Sequence, residues 1–424
     1  MTTAFEVLPH DGHQHEPSAL PLHWPRTASH GTTPSVSCNL GWDLDTLGRA
    51  QTAAGDLVRV AASAYLADRS ARRPLTTFTR TIDLTVHTID PDPWNAAPGR
   101  LAEELLSWLT GDAWHLRAVA AASGDSNPVP LPDADDVMLF SGGLDSLCGA
   151  ADHLADGAAR IHLSHYDAST AIRHAQISVS TWLNNQTQQP LRHLSIKICQ
   201  ARSAVEPSSR SRSLLFAALA SAAAASSSSP RVTVPENGFT SINPPLTAAR
   251  GGALSTRSTH PGTFARINEL LAALDIPVTV ANPYAYLTKG QLLARAYDRA
   301  GERLLQAGAA TLSCSKLDGN WYPGGSPVLN CGLCLACLVR RGAFCTGPHR
   351  DPTQYLVDRL TGTARDLLLE HRSKDVRDVR QAIIRSIDDT DIMAVGELPP
   401  DTDFDTIIEM CQQGIRELHS VPLP

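Results

Sequence analysis

The run Phe140-Ser141-Gly142-Gly143-Leu144-Asp145-Ser146 gathers the groups that anion binding needs. Glycines allow a tight turn because they lack a Cβ and accept positive φ. Ser141 and Ser146 add hydroxyl donors. Asp145 falls in the first turn of an expected helix, where a carboxylate is favoured and can hold Mg²⁺ beside a phosphate. The turn's N–H groups and the helix dipole make an anion cradle. No Gly-Lys-Ser/Thr follows the glycines, so the loop is not a Walker A motif and does not point to γ-phosphate transfer.

A second constellation is Cys314, then Cys331-Gly-Leu-Cys334-Leu-Ala-Cys337. Four thiolates match tetrahedral Zn²⁺, and a filled ligand set is the mark of a structural site. A redox Cys-x-x-Cys pair and an Fe–S cluster are the competing readings. Cys345 could take the place of Cys314. The chain has nine cysteines, an odd number clustered in this way, and no leader-like apolar start. That argues against a disulfide framework and for a reducing, cytoplasmic setting.

Other residues are candidates by position. Tyr166 and Asp167 end an expected strand, where they read either as the nucleotide edge or as ordinary rim. Arg210 and Arg212 open a helix, which opposes its dipole unless an anion is near; Arg212 is a candidate phosphate clamp. Lys289 stands in the same relation to the helix capped by Thr288, and reads as a phosphate ligand or a solvated lysine. Glu236, Asn237 and Asn243 suit the edge of a planar heterocycle, or simply a turn. His260 is a candidate substrate contact or acid/base group in a Gly/Ser/Arg-rich loop.

The elements that must carry these residues are legible. Val137–Phe140 reads as a buried parallel strand, followed by a helix from Leu144 to about Leu154. Strands at 161–165, 191–198, 232–234 and 276–280 alternate with helices, which predicts a doubly wound α/β domain over 133–347. Residues 1–39, rich in His, Pro, Ser and Thr, read as a disordered or extended arm. Residues 40–122 read as a small α+β accessory domain with a strand at 80–89 and a return strand at 114–119. A Gly/Pro/Asp/Asn linker is expected at 123–132, and 351–424 reads as helical. Net charge is −7, with 42% hydrophobic residues. That gives no global basic field for nucleic acid. No apolar run is long enough for a membrane span.

Together the Ser-Gly-Gly-Leu-Asp-Ser loop, the Thr-Lys-Gly-Gln-Leu helix start and the Cys…Cys-Gly-x-Cys-x-x-Cys-x-x-Arg-Arg segment resemble the 7-cyano-7-deazaguanine synthase (QueC-like) family of PP-loop ATP pyrophosphatases. The resemblance covers roughly 135–345. The Pro-Glu-Asn-Gly-Phe…Asn-Pro-Pro and Ser-Thr-Arg-Ser-Thr-His-Pro stretches are similar to the QueC-like component of Qat anti-phage defence systems. It implies a zinc-containing ligase that adenylates 7-carboxy-7-deazaguanine, releases pyrophosphate, and passes the acyl group to ammonia or to an amine of a partner protein. The motif transfer gives Ser141, Gly142, Gly143, Asp145 and Ser146 to ATP phosphates and Mg²⁺, and Cys314, Cys331, Cys334 and Cys337 to Zn²⁺. By position, Phe140, Leu144, Tyr166 and Arg212 join the ATP site, Asp145, Lys289 and Arg212 are expected to be catalytic, and Glu236, Asn237, Asn243 and His260 to contact the substrate. The Cys314–Cys331 spacing is longer than in the housekeeping enzymes. A tRNA-modifying relative, with Cys148 or Cys199 as its thiol, and a nucleotide-binding scaffold of a defence complex are the alternatives.

Overall fold

The computed structural model describes residues 2–9, 16–25, 35–74, 79–122, 124, 128–200, 205–206, 209–247, 256–347 and 350–424. Part of the expected linker at 123–132 and part of the loop before His260 lie outside these residues.

The N-terminal stretch expected as an arm supplies strands. β1 (Thr2–Pro9), β2 (Leu20–Trp24), β4 (Thr81–Thr88) and β5 (Ala113–Ala120) form a four-stranded sheet in the order β2-β1-β4-β5, while β3 (Val36–Cys38) joins a second sheet. Every neighbour pair of the first sheet is parallel. The segment is therefore α/β where α+β was expected. Strand β5 does not return antiparallel, because the crossover from β4 contains α2 (Ala97–Thr110), the kind of connection that parallel neighbours need. Helix α1 (Thr52–Ser70) is one uninterrupted helix, buried along most of its length.

The second sheet has the order β10-β9-β6-β7-β8-β3. Its parallel strands are β6 (Asp136–Leu139), β7 (Arg160–Tyr166), β8 (Arg192–Gln200), β9 (Arg231–Thr233) and β10 (Thr279–Ala281); β3 pairs antiparallel with β8 at the edge. Helices α3 (Leu144–Asp152), α4 (Thr170–Asn184), α5 (Arg212–Ser226), α6 (Gly238–Ile242) and α7 (Pro261–Ala273) lie between the strands in sequence. The chain winds outward from β6 in one direction through β7 and β8, then returns to add β9 and β10 on the other side. The switch point is thus between β6 and β9. Ligands of open α/β sheets bind at the carboxyl ends of the strands there.

The two sheets share one apolar core. Tyr65, Leu66 and Val58 of α1 cluster with Leu214, Leu215 and Leu219 of α5, and with Ile196 and Ile198 of β8. The accessory region is packed into the main sheet, not tethered to it. The helix capped by Thr288 divides at Gly301, φ +66°, into α8 (Lys289–Ala300) and α9 (Arg303–Ala309). The remainder comprises α10 (Leu335–Cys345), α11 (Leu356–Arg359), α12 (Gly362–Arg385), α13 (Asp389–Met393) and α14 (Phe404–His419). Their apolar faces surround the four cysteines in a separate core. Among the described residues no helix is long and apolar enough to cross a membrane.

Candidate nucleotide site and metal centre

The glycine loop starts where β6 ends. Phe140 N donates to Leu163 O at 2.8 Å, and Phe140 O accepts the Ser164 hydroxyl. Ser164 Oγ is also 2.7 Å from His193 Nε2. The hydroxyl has one proton and gives it to Phe140 O, so His193 Nε2 must be the donor of that contact. The Phe140 ring is buried edge-on against His162 and His193, so its backbone, not its side chain, serves the loop. Leu144 is likewise core.

Gly142 takes the left-handed conformation, φ +80°, and a Cβ there would stand 2.8 Å from Gln176 N. Gly143 is extended at φ −82° and is the N-cap of α3, so only one of the two glycines uses positive φ. Gly143 N donates to Ser141 Oγ at 3.2 Å, and Ser146 Oγ donates to Gly143 O at 3.0 Å. Gly142 O accepts from Leu312 N at 3.0 Å, which ties the loop to the segment entering Cys314. The loop is held open by its own hydroxyls at the N-terminus of a buried helix.

Asp145 projects into the switch-point crevice. Its Oδ1 receives Lys289 Nζ at 2.5 Å and its Oδ2 receives Asn237 Nδ2 at 2.7 Å. Asp145 and Lys289 side chains are each 7% exposed. Burial alone would raise the Asp145 pKa; the Lys289 ammonium and the hydrogen bonds overcome it and hold the carboxyl below its ordinary range. Glu236 is forced the other way. Burial, then the neighbouring Asp145 charge, raises it well above the usual carboxylate value. The two carboxyls are therefore pushed apart, Asp145 toward the ionised form and Glu236 toward the protonated one. Asn237 bridges them: it caps α6 through Oδ1 to Thr240 N at 3.0 Å, and its Nδ2 also reaches Glu236 Oε1 at 3.3 Å.

Lys289 is set by the start of α8, where Thr288 and Gln291 form a capping box. A residue absent from the sequence reading completes that start. Glu417 of α14 accepts the Thr288 hydroxyl and, at 3.1 Å, Gly290 N. A Cβ on Gly290 would lie 2.5 Å from Glu417 Oε1. No local signal marks Glu417, because its partner is 127 residues away in sequence.

On the β7 side of the loop lies a cavity of about 260 Å³ bounded by Phe140, Ser141, His165, Arg212, Phe216 and Leu312, among others. Arg212 Nη1 is 4.0 Å from Asp167 Oδ2, its guanidinium lies over the Phe216 ring, and its buried Nε has no partner among the described residues. The anion that the arginine-rich helix start called for is partly the protein's own. Asp68 of α1 accepts from Arg210 N, Ser211 N and Ser211 Oγ at 3.0, 3.1 and 2.8 Å. Tyr166 is buried with Arg173 stacked over its ring.

Two expected substrate contacts are used elsewhere. Asn243 closes α6 in the left-handed conformation, φ 52°, and donates to Thr256 O at 3.3 Å. His260 caps α7, its Nδ1 accepting from Gly262 N at 3.1 Å, and its ring packs on Trp108 of α2. Neither is brought to the loop by these contacts. Cys148 and Cys199 are buried, and burial pushes both thiols up, which makes poor nucleophiles of them.

The candidate metal centre is a cluster of four buried thiols, Cys314, Cys331, Cys334 and Cys337, with Sγ atoms all within 4.8 Å of one another. Cys334 N points to Cys331 Sγ at 3.2 Å, a backbone donor that favours the thiolate. Gly332 makes the knuckle possible with φ +86°. This donor set fits a tetrahedral soft-ligand ion such as zinc, with no position left open. Cys345 is exposed and outside the cluster, so Cys314 is the fourth member. No family model matches the chain and no curated protein matches it, so the glycine loop, the Asp145–Lys289 pair and the four thiols carry its functional reading.

Proposed function

We propose that the protein is an ATP-dependent adenylating ligase that forms AMP and pyrophosphate. The observation that carries this reading is the position of the glycine loop, at the switch point of a doubly wound sheet with Asp145 and Lys289 paired beside it. The acceptor of the adenylyl group is a carboxylate on a planar heterocycle, which the sequence resemblance narrows to 7-carboxy-7-deazaguanine. A carboxylate oxygen attacks the α-phosphorus, the bond to the bridging oxygen breaks, and pyrophosphate leaves with Mg²⁺. An amine then attacks the acyl carbon and AMP departs, giving an amide; ammonia can go on to the nitrile with a second ATP, and a protein amine would end as a conjugate.

The chain's own residues orient and neutralise. The loop N–H groups and α3 dipole take the phosphates, where preorganised donors act on developing charge. Lys289 carries positive charge into a buried site without solvent to screen it. Glu236, pushed toward its protonated form by burial and by Asp145, meets an anionic substrate with less like-charge repulsion. Alignment of carboxylate and α-phosphate supplies the remaining advantage. Zinc in the cysteine centre would cross-link the segments that flank Leu312, and take no part at the reacting atoms.

The test is product analysis after mixing the protein with Mg·ATP and 7-carboxy-7-deazaguanine, with and without ammonium. AMP with pyrophosphate and an amide or nitrile supports the reading. ADP with phosphate, or bound ATP with no AMP under any condition, overturns it.

A further inference from the structure

One carboxyl from the C-terminal helix holds both sides of Lys289. Thr288 Oγ1 accepts from Gln291 N at 3.1 Å and donates its own proton to Glu417 Oε1. Gly290 N donates to Glu417 Oε2 at 3.1 Å. Each oxygen of Glu417 thus takes one donor, and the two donors belong to the residues before and after Lys289. Glu417 is 3% exposed, so those donors have no ready replacement in water if the carboxyl is withdrawn. A carboxyl at the first turn of a helix also suits its dipole.

The same helix backs the other partner of Asp145. Asn237, which meets Asp145 Oδ2, is the N-cap of α6, and Lys289, which meets Oδ1, is the first residue of α8. Helix α14 lies close against both. A Cβ on Gly414 of α14 would stand 2.3 Å from the Phe239 ring of α6, and one on Gly238 would stand 2.9 Å from Met410 Cε. Gly290 allows the matching approach on α8. Close packing at these glycines leaves α14 little freedom to shift against either helix. Lysine has a flexible four-carbon stem, so where Nζ stands depends on how firmly its Cα is held.

We propose that Glu417 is a positioning residue for the candidate site: it fixes the start of α8 so that Lys289 Nζ stands at Asp145, beside the glycine loop. What Lys289 does there rests on the reading of the protein as an adenylating ligase; its placement against Asp145 does not. The C-terminal region is then part of the site rather than an appendage to it. Glu417→Gln isolates the effect, because the amide matches the carboxyl in size but turns one acceptor into a donor. That donor meets either the Thr288 hydroxyl or Gly290 N–H, and one tether on Lys289 is lost.

Two cycles on the full chain test this. In the first, AMP formation from Mg·ATP and 7-carboxy-7-deazaguanine is measured for wild type, Glu417→Gln, Lys289→Met and the double variant. Glu417→Gln should lower the rate about tenfold when Lys289 is present, and change it by less than about twofold once Lys289 is gone. An equal loss in both backgrounds overturns the proposal, because Glu417 would then act without Lys289; so does a wild-type rate in Glu417→Gln. In the second cycle, denaturant midpoints give the coupling between Asp145→Asn and Lys289→Met, with Glu417 and with Glu417→Gln. The coupling should fall by about half or more in the glutamine variant, and an unchanged coupling overturns the proposal. This cycle needs no turnover. A wild type that makes no AMP therefore defeats the ligase reading, and the second cycle still decides the placement of Lys289. Glu417→Asp, which keeps the charge and draws the carboxyl back by one methylene, takes the place of Glu417→Gln in both cycles if the glutamine variant does not fold.

Discussion

Lys289 Nζ lies 2.5 Å from Asp145 Oδ1 although 144 residues separate them in sequence. Two helix starts meet there, α3 after β6 and α8 after β10, and each puts a charge in its first turn that the other neutralises. Breaking a buried pair by removing one partner leaves the other charge uncompensated, at a cost of about 3–5 kcal/mol. Lys289→Met should therefore lower stability by about that amount, and the double variant with Asp145→Asn should recover much of it. Denaturant midpoints of the two singles and the double check this. A Lys289→Met variant as stable as wild type would show that the pair is not formed.

The carboxyl pair makes a pH prediction with opposite signs for its members. Asp145 has a depressed folded pKa, so its stabilisation is present above its unfolded value and fades as pH falls through the folded one. Glu236 has a raised folded pKa, so its contribution is full below its unfolded value of about 4.3 and is lost as pH rises toward the folded one. Glu236→Gln keeps a neutral hydrogen-bonding group and removes that loss. The variant should gain on wild type by up to about 1.4 kcal/mol per pH unit above about pH 4.3. Urea denaturation between pH 5 and 8 reads the difference; parallel pH profiles for the two proteins would refute it.

The two loop glycines should respond differently to alanine. At Gly142 the new Cβ meets a backbone nitrogen at 2.8 Å and the φ of +80° is strained for any L side chain. At Gly143 the backbone is extended and the nearest atom is the Ser141 hydroxyl at 3.2 Å. Gly142→Ala should destabilise by about 1–3 kcal/mol and abolish ATP binding, whereas Gly143→Ala should fold with little loss. Thermal melts and nucleotide titrations of the two variants make the comparison.

The metal centre predicts a zinc stoichiometry of about one per chain. Cys314→Ser should lose most of that zinc, and Cys345→Ser should retain it, because only Cys314 is in the cluster. Metal analysis of the purified variants decides it. Chelation should also lower the melting temperature, since Leu333, Leu338 and Val357 pack around the cysteines in the C-terminal core.

Glu417 links the C-terminal helix to the same site. A Cβ on Gly342 of α10 would lie 2.7 Å from Glu417 O, so α14 sits against both the helix bearing Cys337 and the start of the helix bearing Lys289. Gly290→Ala should destabilise by about 1–3 kcal/mol through its clash with the Glu417 carboxylate. Pairing it with Glu417→Ala should restore part of the loss in a denaturation cycle.

The elements around the glycine loop were legible because a buried parallel strand, a glycine turn and a helix N-terminus each leave a local pattern. The cysteine cluster was legible because metal ligands must be close, and three of them are close in sequence. The N-terminal strands were missed for the converse reason. β1 is sandwiched between β2 and β4, and its stability comes from those partners rather than from its own His/Pro-rich surroundings. Asn243 and His260, expected as substrate contacts, close and open helices α6 and α7, because the residue types that bind ligands are also those that stop and start helices.

The sequence by itself determined the local elements: a glycine turn between a buried strand and a helix, helix starts bearing Asp145 and Lys289, and a close-spaced cysteine set. Only the tertiary structure decided which charges meet. The strand order that brings β9 beside β6 delivers Glu236 and Asn237 to Asp145, and α14 brings Glu417 to the start of α8. Those contacts depend on long-range packing, and no short-range pattern in a chain encodes the partner that a buried charge will find.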